Sequence, residues 1–431
     1  MEQLLEHDPV DAGDTSGISI WRGPSTWLLK KKLCRGFWVF FAVECFVDFG
    51  FSLYFFLFNL YLVDCHFNER TIGLVGGVLT FGSVAGTLPA GWLARKVGLR
   101  PLQVCSMIAA PLLGVTRVFV LREPAQVALA FLSGLALCIW AVCYLPTLAR
   151  LTTSENRASA FSIIFSVGIA VSALGGLVCG SVPHLLRTAG YTLEAADVKR
   201  LILIGSCVIA GIGVFPLLRL RLPPPEESEA QTPYKSEKKV WKINPFLLGF
   251  VPLMALWTAT LASFTPFANV YLTRDFHISL SQIGFIFSAA HVIQLCATLM
   301  TPVVFRRLGL LNGIVATQVA TAVTMGLLAG AHNRGLAVAL YLGFSAAQWM
   351  STPGLYNMLM SRVTDEERSS ASAMTMFSNA LLQSCAMAGA GILFVRFGYP
   401  RVLVGIAGMA LIAALLFKSF DMPGGRKSVA N

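Results

Sequence analysis

Residues 91–101, GWLARKVGLRP, follow a long apolar run and gather three positive charges (Arg95, Lys96, Arg100) and two glycines (Gly91, Gly98) with no acid among them. Glycine permits positive φ and close helix approach, and basic side chains hold such a turn at the cytoplasmic headgroups. The same pattern returns later: LARKVGL at 93–99 is matched by VFRRLGL at 304–310, with Arg306 and Arg307 for Arg95 and Lys96 and Gly309 for Gly98. At the same offset of about 211 residues, IG at 72–73 recurs at 283–284, TTSENRASA at 152–160 recurs as VTDEERSSA at 363–371, and NLYL at 59–62 recurs as NVYL at 269–272. Coincidences at one spacing read as two parallel repeats about an axis along a membrane normal.

Composition gives the solvent. Charged residues are 13% and hydrophobic residues 55% of the 431, with 30 Phe, whereas a soluble chain is about a quarter charged. Each helical crossing needs roughly 20 apolar residues. Long unbroken apolar blocks, rather than the period-2 alternation of a membrane barrel, give an all-α integral membrane protein of twelve transmembrane helices in two pseudo-symmetric six-helix bundles. The predicted spans are 36–63, 69–94, 101–121, 124–149, 158–182 and 200–219, then 245–273, 279–304, 310–330, 335–360, 370–395 and 400–418. Residues 1–35 form an N-terminal arm, 36–219 the first bundle, 220–244 a Pro-rich linker of mixed charge, 245–418 the second bundle and 419–431 a tail.

The net charge of +11 is spread over the segments between spans and not over one soluble face, which argues against a nucleic-acid partner. Placing most of the Lys and Arg inside puts both termini, arm, linker and tail in the cytoplasm, at a plasma (inner) membrane. The acidic start (Glu2, Glu6, Asp8, Asp11, Asp14) is unlike a signal peptide. The ten cysteines form no CxxC pair and read as small buried hydrophobes. There is no nucleotide-binding GxxxxGK[ST] loop and no HExxH or GxSxG cluster, so no catalytic residue, metal or cofactor is expected and the chain is not read as an enzyme.

The repeat and the basic turn resemble the major facilitator superfamily over roughly residues 36–418. That family's loop after the second helix has the form Gly, three residues, Asp, Arg or Lys, any residue, Gly, then basic residues. Gly91, Lys96, Gly98 and Arg100 match it, but Arg95 stands in the place of the Asp and Leu99 in that of a basic residue. The resemblance implies that the Asp latches the two halves near the helix 10 to 11 region. With the sign reversed, Arg95 or Lys96 is expected to pair with Asp365 or Glu366, and Arg306 or Arg307 with Glu155.

Inside the spans, Glu44 and Asp48 of VECFVDFG lie four apart on one helix face. An acid at mid-bilayer costs about 2.5–3.5 kcal/mol even on insertion scales, so a persisting pair is read as a proton-coupling site; a structural or snorkelling Glu44 is the alternative. Arg117, near the outer end of the third span, is expected to snorkel outward. Trp140, Tyr144, His291, Gln294, Gln348, Trp349, Asn379 and Gln383 are candidates for a central cavity, because the resemblance places helices 1, 2, 4, 5 and 7, 8, 10, 11 around one; interhelical hydrogen bonding would explain them too. Trp257 and Phe264 are read as packing.

The expected function is secondary active transport of a small solute by alternating access, coupled to protons. A gradient-driven uniporter without proton coupling and a non-transporting membrane receptor or sensor are the other readings. The expected partners are a small-molecule solute, protons and the lipid bilayer, and the chain is expected to act as a monomer.

Overall fold

The computed structural model describes residues 33–153, 156–191, 193–223, 244–364 and 367–419. The helices are α1 Arg35–Asp64, α2 Glu69–Val97, α3 Leu99–Phe119, α4 Glu123–Arg150, α5 Arg157–Thr188, α6 Ala195–Ile212, α7 Val214–Arg219, α8 Pro245–Ala262, α9 Ala268–Phe276, α10 Leu280–Leu308, α11 Leu310–Ala329, α12 Arg334–Ser361 and α13 Arg368–Ser419. Ten segments among the described residues are long and apolar enough to cross a membrane. The 28-residue α12 matches them in length, and the 52-residue α13 kinks at Gly398 (φ 76°, ψ 165°). In hydrocarbon every backbone polar group must be satisfied internally, which helices do. Many large apolar side chains face outward, Leu88 (85% exposed), Leu299 (69%) and Phe285 (66%) among them; in lipid this costs nothing. The chain is a multi-pass integral membrane protein.

Side chains chosen for the purpose mark several helix starts. Asn68 Oδ1 accepts the Thr71 amide (3.1 Å) at α2, Asn333 Oδ1 accepts the Gly335 amide (2.7 Å) at α12, and Ser279 with Gln282 forms a capping box at α10. Two helix junctions are tighter than the loops expected from sequence. Gly98 alone separates α2 from α3, and Gly309 alone separates α10 from α11. Their conformations are nearly the same, φ 97° and ψ 161° against φ 81° and ψ 160°, a region closed to a side chain. Arg95, Lys96, Arg306 and Arg307 therefore lie on the last helical turns rather than in loops, where positive charge complements the helix dipole.

The repeat extends to single hydrogen bonds. Tyr61 Oη donates to Val118 O (2.8 Å), and its counterpart Tyr271 donates to Leu328 O (3.1 Å). His66 and His277 both take left-handed backbone (φ 65° and 51°). One difference breaks the likeness: the predicted seventh span is interrupted after Ala262 by a 3₁₀ turn at Thr265–Phe267 before α9 continues. Pro266, which has no N–H and cannot extend a helical ladder, sits in that turn.

Residues 33–223 meet 244–419 chiefly where α2 packs on α13 and α5 on α10, with α9 against α1. The helix ends fall into two sets. One, the linker end, holds residue 223, residue 244 and the starts of α1 and α13; the other, the far end, holds the α1–α2 and α9–α10 junctions. Toward the far end the approach is intimate. A Cβ on Gly77 would lie 2.6 Å from Ser384 O, and Ser384 Oγ donates to Gly77 O (2.6 Å). Rings meet there at a tilt, Phe56 with Phe287 from the two sides (4.4 Å) and Phe267 with Phe394 (5.0 Å). Asn59 Nδ2 donates to Pro266 O (2.8 Å), and Asn269 Nδ2 donates to Phe56 O (2.7 Å). Buried Glu69 on α2 accepts from Arg274 of α9 and from Tyr399 Oη (3.2 Å) of α13. Near the linker end the contrast is plain, for a Cβ on Gly91 would meet nothing within 4 Å.

The ten cysteines are free thiols. Cys138, Cys143, Cys179 and Cys207 are buried, as the sequence suggested for all; Cys34, Cys105, Cys296 and Cys385 are exposed, an outcome composition could not separate because lipid-facing and buried positions are equally apolar. Trp257 and Phe264 are buried (2% and 0% exposed) among packing side chains.

Candidate functional site: a cavity between the two halves

Two cavities adjoin between the halves. The larger, 690 Å³, is lined by Glu44 and Asp48 of α1, Trp140 and Tyr144 of α4, Gly168 and Ser172 of α5, His291 and Gln294 of α10 and Trp349 of α12, among others. The smaller, 440 Å³, lies farther along α1, against Ser52 and Asn59, and includes Arg117, Asn269 and Gln348. Ser172, His291, Gln294 and Trp349 line both. Thr298, also in the larger cavity's lining, is shared with a further cavity lined by Thr301, Pro302, Arg306, Pro353 and Asn357 in the linker-end parts of α10 and α12. The space thus opens toward the linker end and ends against the far-end contacts.

The acidic wall follows from helical spacing. Glu44 and Asp48 are one turn apart, and Ser52, another turn on, donates to Ser172 O (3.4 Å). Glu44 is 5% exposed, and its Oε1 has no hydrogen-bond partner. Asp48 is half-buried and lies against α5 where a Cβ on Gly168 would be only 2.8 Å from Asp48 Oδ2; a glycine there makes the room for the carboxylate. Phe40 backs both aromatic liners, stacked on Trp140 (6.2 Å, 20°) and tilted to Tyr144 (5.9 Å). On the opposite wall His291 Nδ1 pairs with its own helix at Phe287 O (3.0 Å), while Gln348 Oε1 accepts from Thr265 Oγ1 (3.4 Å).

Six of the eight cavity candidates read from sequence therefore come together: Trp140, Tyr144, His291, Gln294, Gln348 and Trp349. Asn379 and Gln383 are not among the residues lining these two cavities; they are half-buried on α13, with Asn379 Oδ1 buried and unpartnered. Met387, farther along the same helix, reaches the smaller cavity instead. Ser52 was missed, although its place one turn past Asp48 on the same face was legible. Gly168 and Ser172 carried no signal distinct from helix packing.

Arg117 is a correction. It does not snorkel outward but is 2% exposed. Its Nε donates to Gln126 Oε1 (3.3 Å) and its guanidinium sits over Phe58 at 4.2 Å, so a neutral amide and a ring face hold the charge inside. Phe58 is ten residues past Asp48, about 15 Å along the helix, too far for Arg117 to serve as that acid's ion-pair partner.

At the linker end, Arg95, Arg306 and Arg307 are exposed, Lys96 Nζ lies 4.0 Å above the Trp92 ring and Arg100 donates to Leu218 O. The acids proposed to answer them, Glu155, Asp365 and Glu366, lie outside the described residues.

A helical membrane fold with a polar, acid-bearing cavity between repeated halves defines a class of solute-handling membrane proteins. The profile of the Major Facilitator Superfamily matches residues 40–384 and 260–430, and the chain belongs to that family. No curated protein matches it by sequence. Among solved structures it is similar to the nucleoside transporter NupG (TM-score 0.75, 16% identity, 91% of this chain and 100% of that one). It is also similar to the xylose transporter XylE from E. coli in an inward-open conformation (TM-score 0.68, 15% identity, 90% and 97%). A third likeness is to a bacterial homolog of the human lysosomal transporter Spinster, inward-facing and occupied (TM-score 0.70, 12% identity, 92% and 96%). At such identities the likeness is one of fold.

Proposed function

We propose that the chain is a secondary transporter that moves a small solute by alternating access, coupled to protons through Asp48 with Glu44. The observation that carries this reading is a cavity bearing two carboxylates that opens toward one end of the molecule and is closed at the other by contacts between the halves. A site reachable from one side at a time is what alternating access requires. Solved transporters of the same fold, a D-xylose–proton symporter among them, support the coupling.

In this reading α12 and both arms of α13 cross the membrane, giving twelve crossings in two six-helix bundles, 36–219 and 245–418, that rock about the α2–α13 and α5–α10 interfaces. The paired Tyr61/Tyr271 bonds and Gly98/Gly309 turns support the twofold relation. The arm, the linker 220–244 and the tail face the cytoplasm, so the cavity here opens inward. When the linker end closes, Arg95 or Lys96 pairs with Asp365 or Glu366, and Arg306 or Arg307 with Glu155, in a latch of reversed sign.

The test is solute-dependent proton flux in proteoliposomes across a compound library, with wild type and Asp48→Asn. Loss of proton movement in the variant is expected. Coupling that is unchanged in Asp48→Asn removes that residue from the mechanism, and solute flux without proton movement in the wild type makes the protein a uniporter.

A further inference from the structure

The larger cavity has a chemical bias that transport alone does not require. Its α1 wall carries Glu44 and Asp48, and no Lys or Arg lines it; the buried Arg117 of α3 sits over Phe58, about 15 Å farther along α1 than Asp48. Among the described residues neither carboxylate has an ion-pair partner. Glu44 is almost wholly buried and one of its oxygens accepts from nothing, a vacancy that costs free energy unless a proton or another cation fills it. The other titratable groups facing the pair are Tyr144 of α4 and His291 of α10, with Cys45 on α1 itself; α5 and α12 contribute Gly168, Ser172 and Trp349. None of these brings a fixed positive charge.

Beside the carboxylates stand two aromatic side chains, Trp140 and Tyr144, one turn apart and both braced from behind by Phe40. Ring faces next to paired acids favour a weakly hydrated organic cation over a metal ion, which would want a shell of oxygen ligands. A volume of 690 Å³ is in the range that holds a drug-sized molecule. A carboxylated or phosphorylated solute would meet two like charges without compensation.

From this we infer that the solute is a monovalent organic cation with an aromatic body, bound with its charge against Glu44 and Asp48 and its rings against Trp140 and Tyr144. The inference rests on the transporter reading above. Since solute and proton are held by the same carboxylates, each displaces the other: the cation binds as a proton leaves, charge is conserved at the site, and the coupled movement is exchange.

The probes are tetraphenylphosphonium and tetraphenylborate, equal in shape and opposite in sign, added to the full chain in lipid nanodiscs with protein-free nanodiscs subtracted. Tryptophan fluorescence reports binding. The phosphonium is expected to bind at least about tenfold more tightly than the borate and to weaken as pH falls, because protons then occupy the carboxylates. Glu44→Gln and Asp48→Asn are each expected to weaken it about tenfold or more, and Trp140→Ala severalfold. Equal or tighter binding of the borate, phosphonium binding that ignores pH, or no signal beyond the protein-free discs overturns the inference; these comparisons use wild-type protein and stand even if a variant does not fold. The transporter reading fails separately. Phosphonium that binds by these criteria but crosses proteoliposomes no faster than protein-free vesicles refutes translocation, while proton-coupled flux of neutral solutes with no cation preference refutes only the cation.

Discussion

The far-end junction between α2, α9 and α13 depends on one carboxylate, and replacing it measures how firmly that end is shut. Glu69 is 5% exposed, accepts from Arg274 on α9 and is also the acceptor for Tyr399 Oη at 3.2 Å on α13. Glu69→Gln keeps an oxygen for Tyr399 and removes the charge that Arg274 meets. A hydrogen bond to a charged partner contributes about 1.5–3 kcal/mol. Arg274 is 37% exposed at its side chain, so solvent screens part of that and water takes over the freed donor; about 1 kcal/mol is the discounted figure. If the far end opens and closes as alternating access demands, that shifts the balance toward the open form about fivefold. Hydrogen exchange of the protein in nanodiscs reads this directly, since amides protected only by closure exchange in proportion to the open population. Peptides covering 61–75, 265–280 and 394–402 are expected to exchange about fivefold faster in the variant, with linker-end peptides unchanged. Exchange within about twofold of wild type, or acceleration spread evenly over both ends, refutes the assignment of Glu69 to a far-end lock. The double variant Glu69→Gln/Arg274→Gln should be no worse than either single one; additive effects would mean the two do not act as a pair.

Two pairs of substitutions probe the interface and the repeat. Gly77→Ala places a methyl 2.6 Å from Ser384 O, an overpacking expected to cost the far-end-closed state about 1–3 kcal/mol; the same exchange measurement should show it, while Gly91→Ala, which meets nothing within 4 Å here, leaves far-end exchange unaltered. Tyr271→Phe deletes a single bond to Leu328 O, worth about 1 kcal/mol, and should lower the thermal midpoint modestly. Tyr61→Phe should lower it more, since Tyr61 Oη also accepts from Arg200 Nε (3.3 Å); equal or reversed effects would contradict the geometry.

What could be read ahead of the structure depended on whether a feature was periodic. Apolar blocks placed the helices within a few residues, and the recurrence of Gly98 at Gly309 and of Tyr61 at Tyr271 disclosed a repeat that holds in backbone angles and hydrogen bonds. Glu44 and Asp48 stood out because charge in hydrocarbon is costly. Arg117 was misplaced because sequence shows its depth along a helix but not that Gln126 and Phe58 await it on the inner face. Asn379 and Gln383 were grouped with the cavity by spacing on one helix; which face of α13 meets the cavity is set by packing against α2, and that orientation leaves no trace in a single apolar span. The one-residue turns were overlooked for a similar reason, as basic residues between two apolar blocks look like loop whether or not they continue a helix.

The reciprocal bonds of Asn59 and Asn269 have a meaning beyond closure. Each amide comes from one copy of the repeat and finds a carbonyl of the other at corresponding places, Pro266 and Phe56. This is the rule for an isologous contact between identical subunits, in which residue i meets j while j meets i. These two bonds thus repeat, inside one polypeptide, the pattern of a contact across a twofold axis. Two polypeptides ending at 223 and beginning at 244, made together, are therefore expected to co-purify, and replacing both asparagines by alanine is expected to weaken that association.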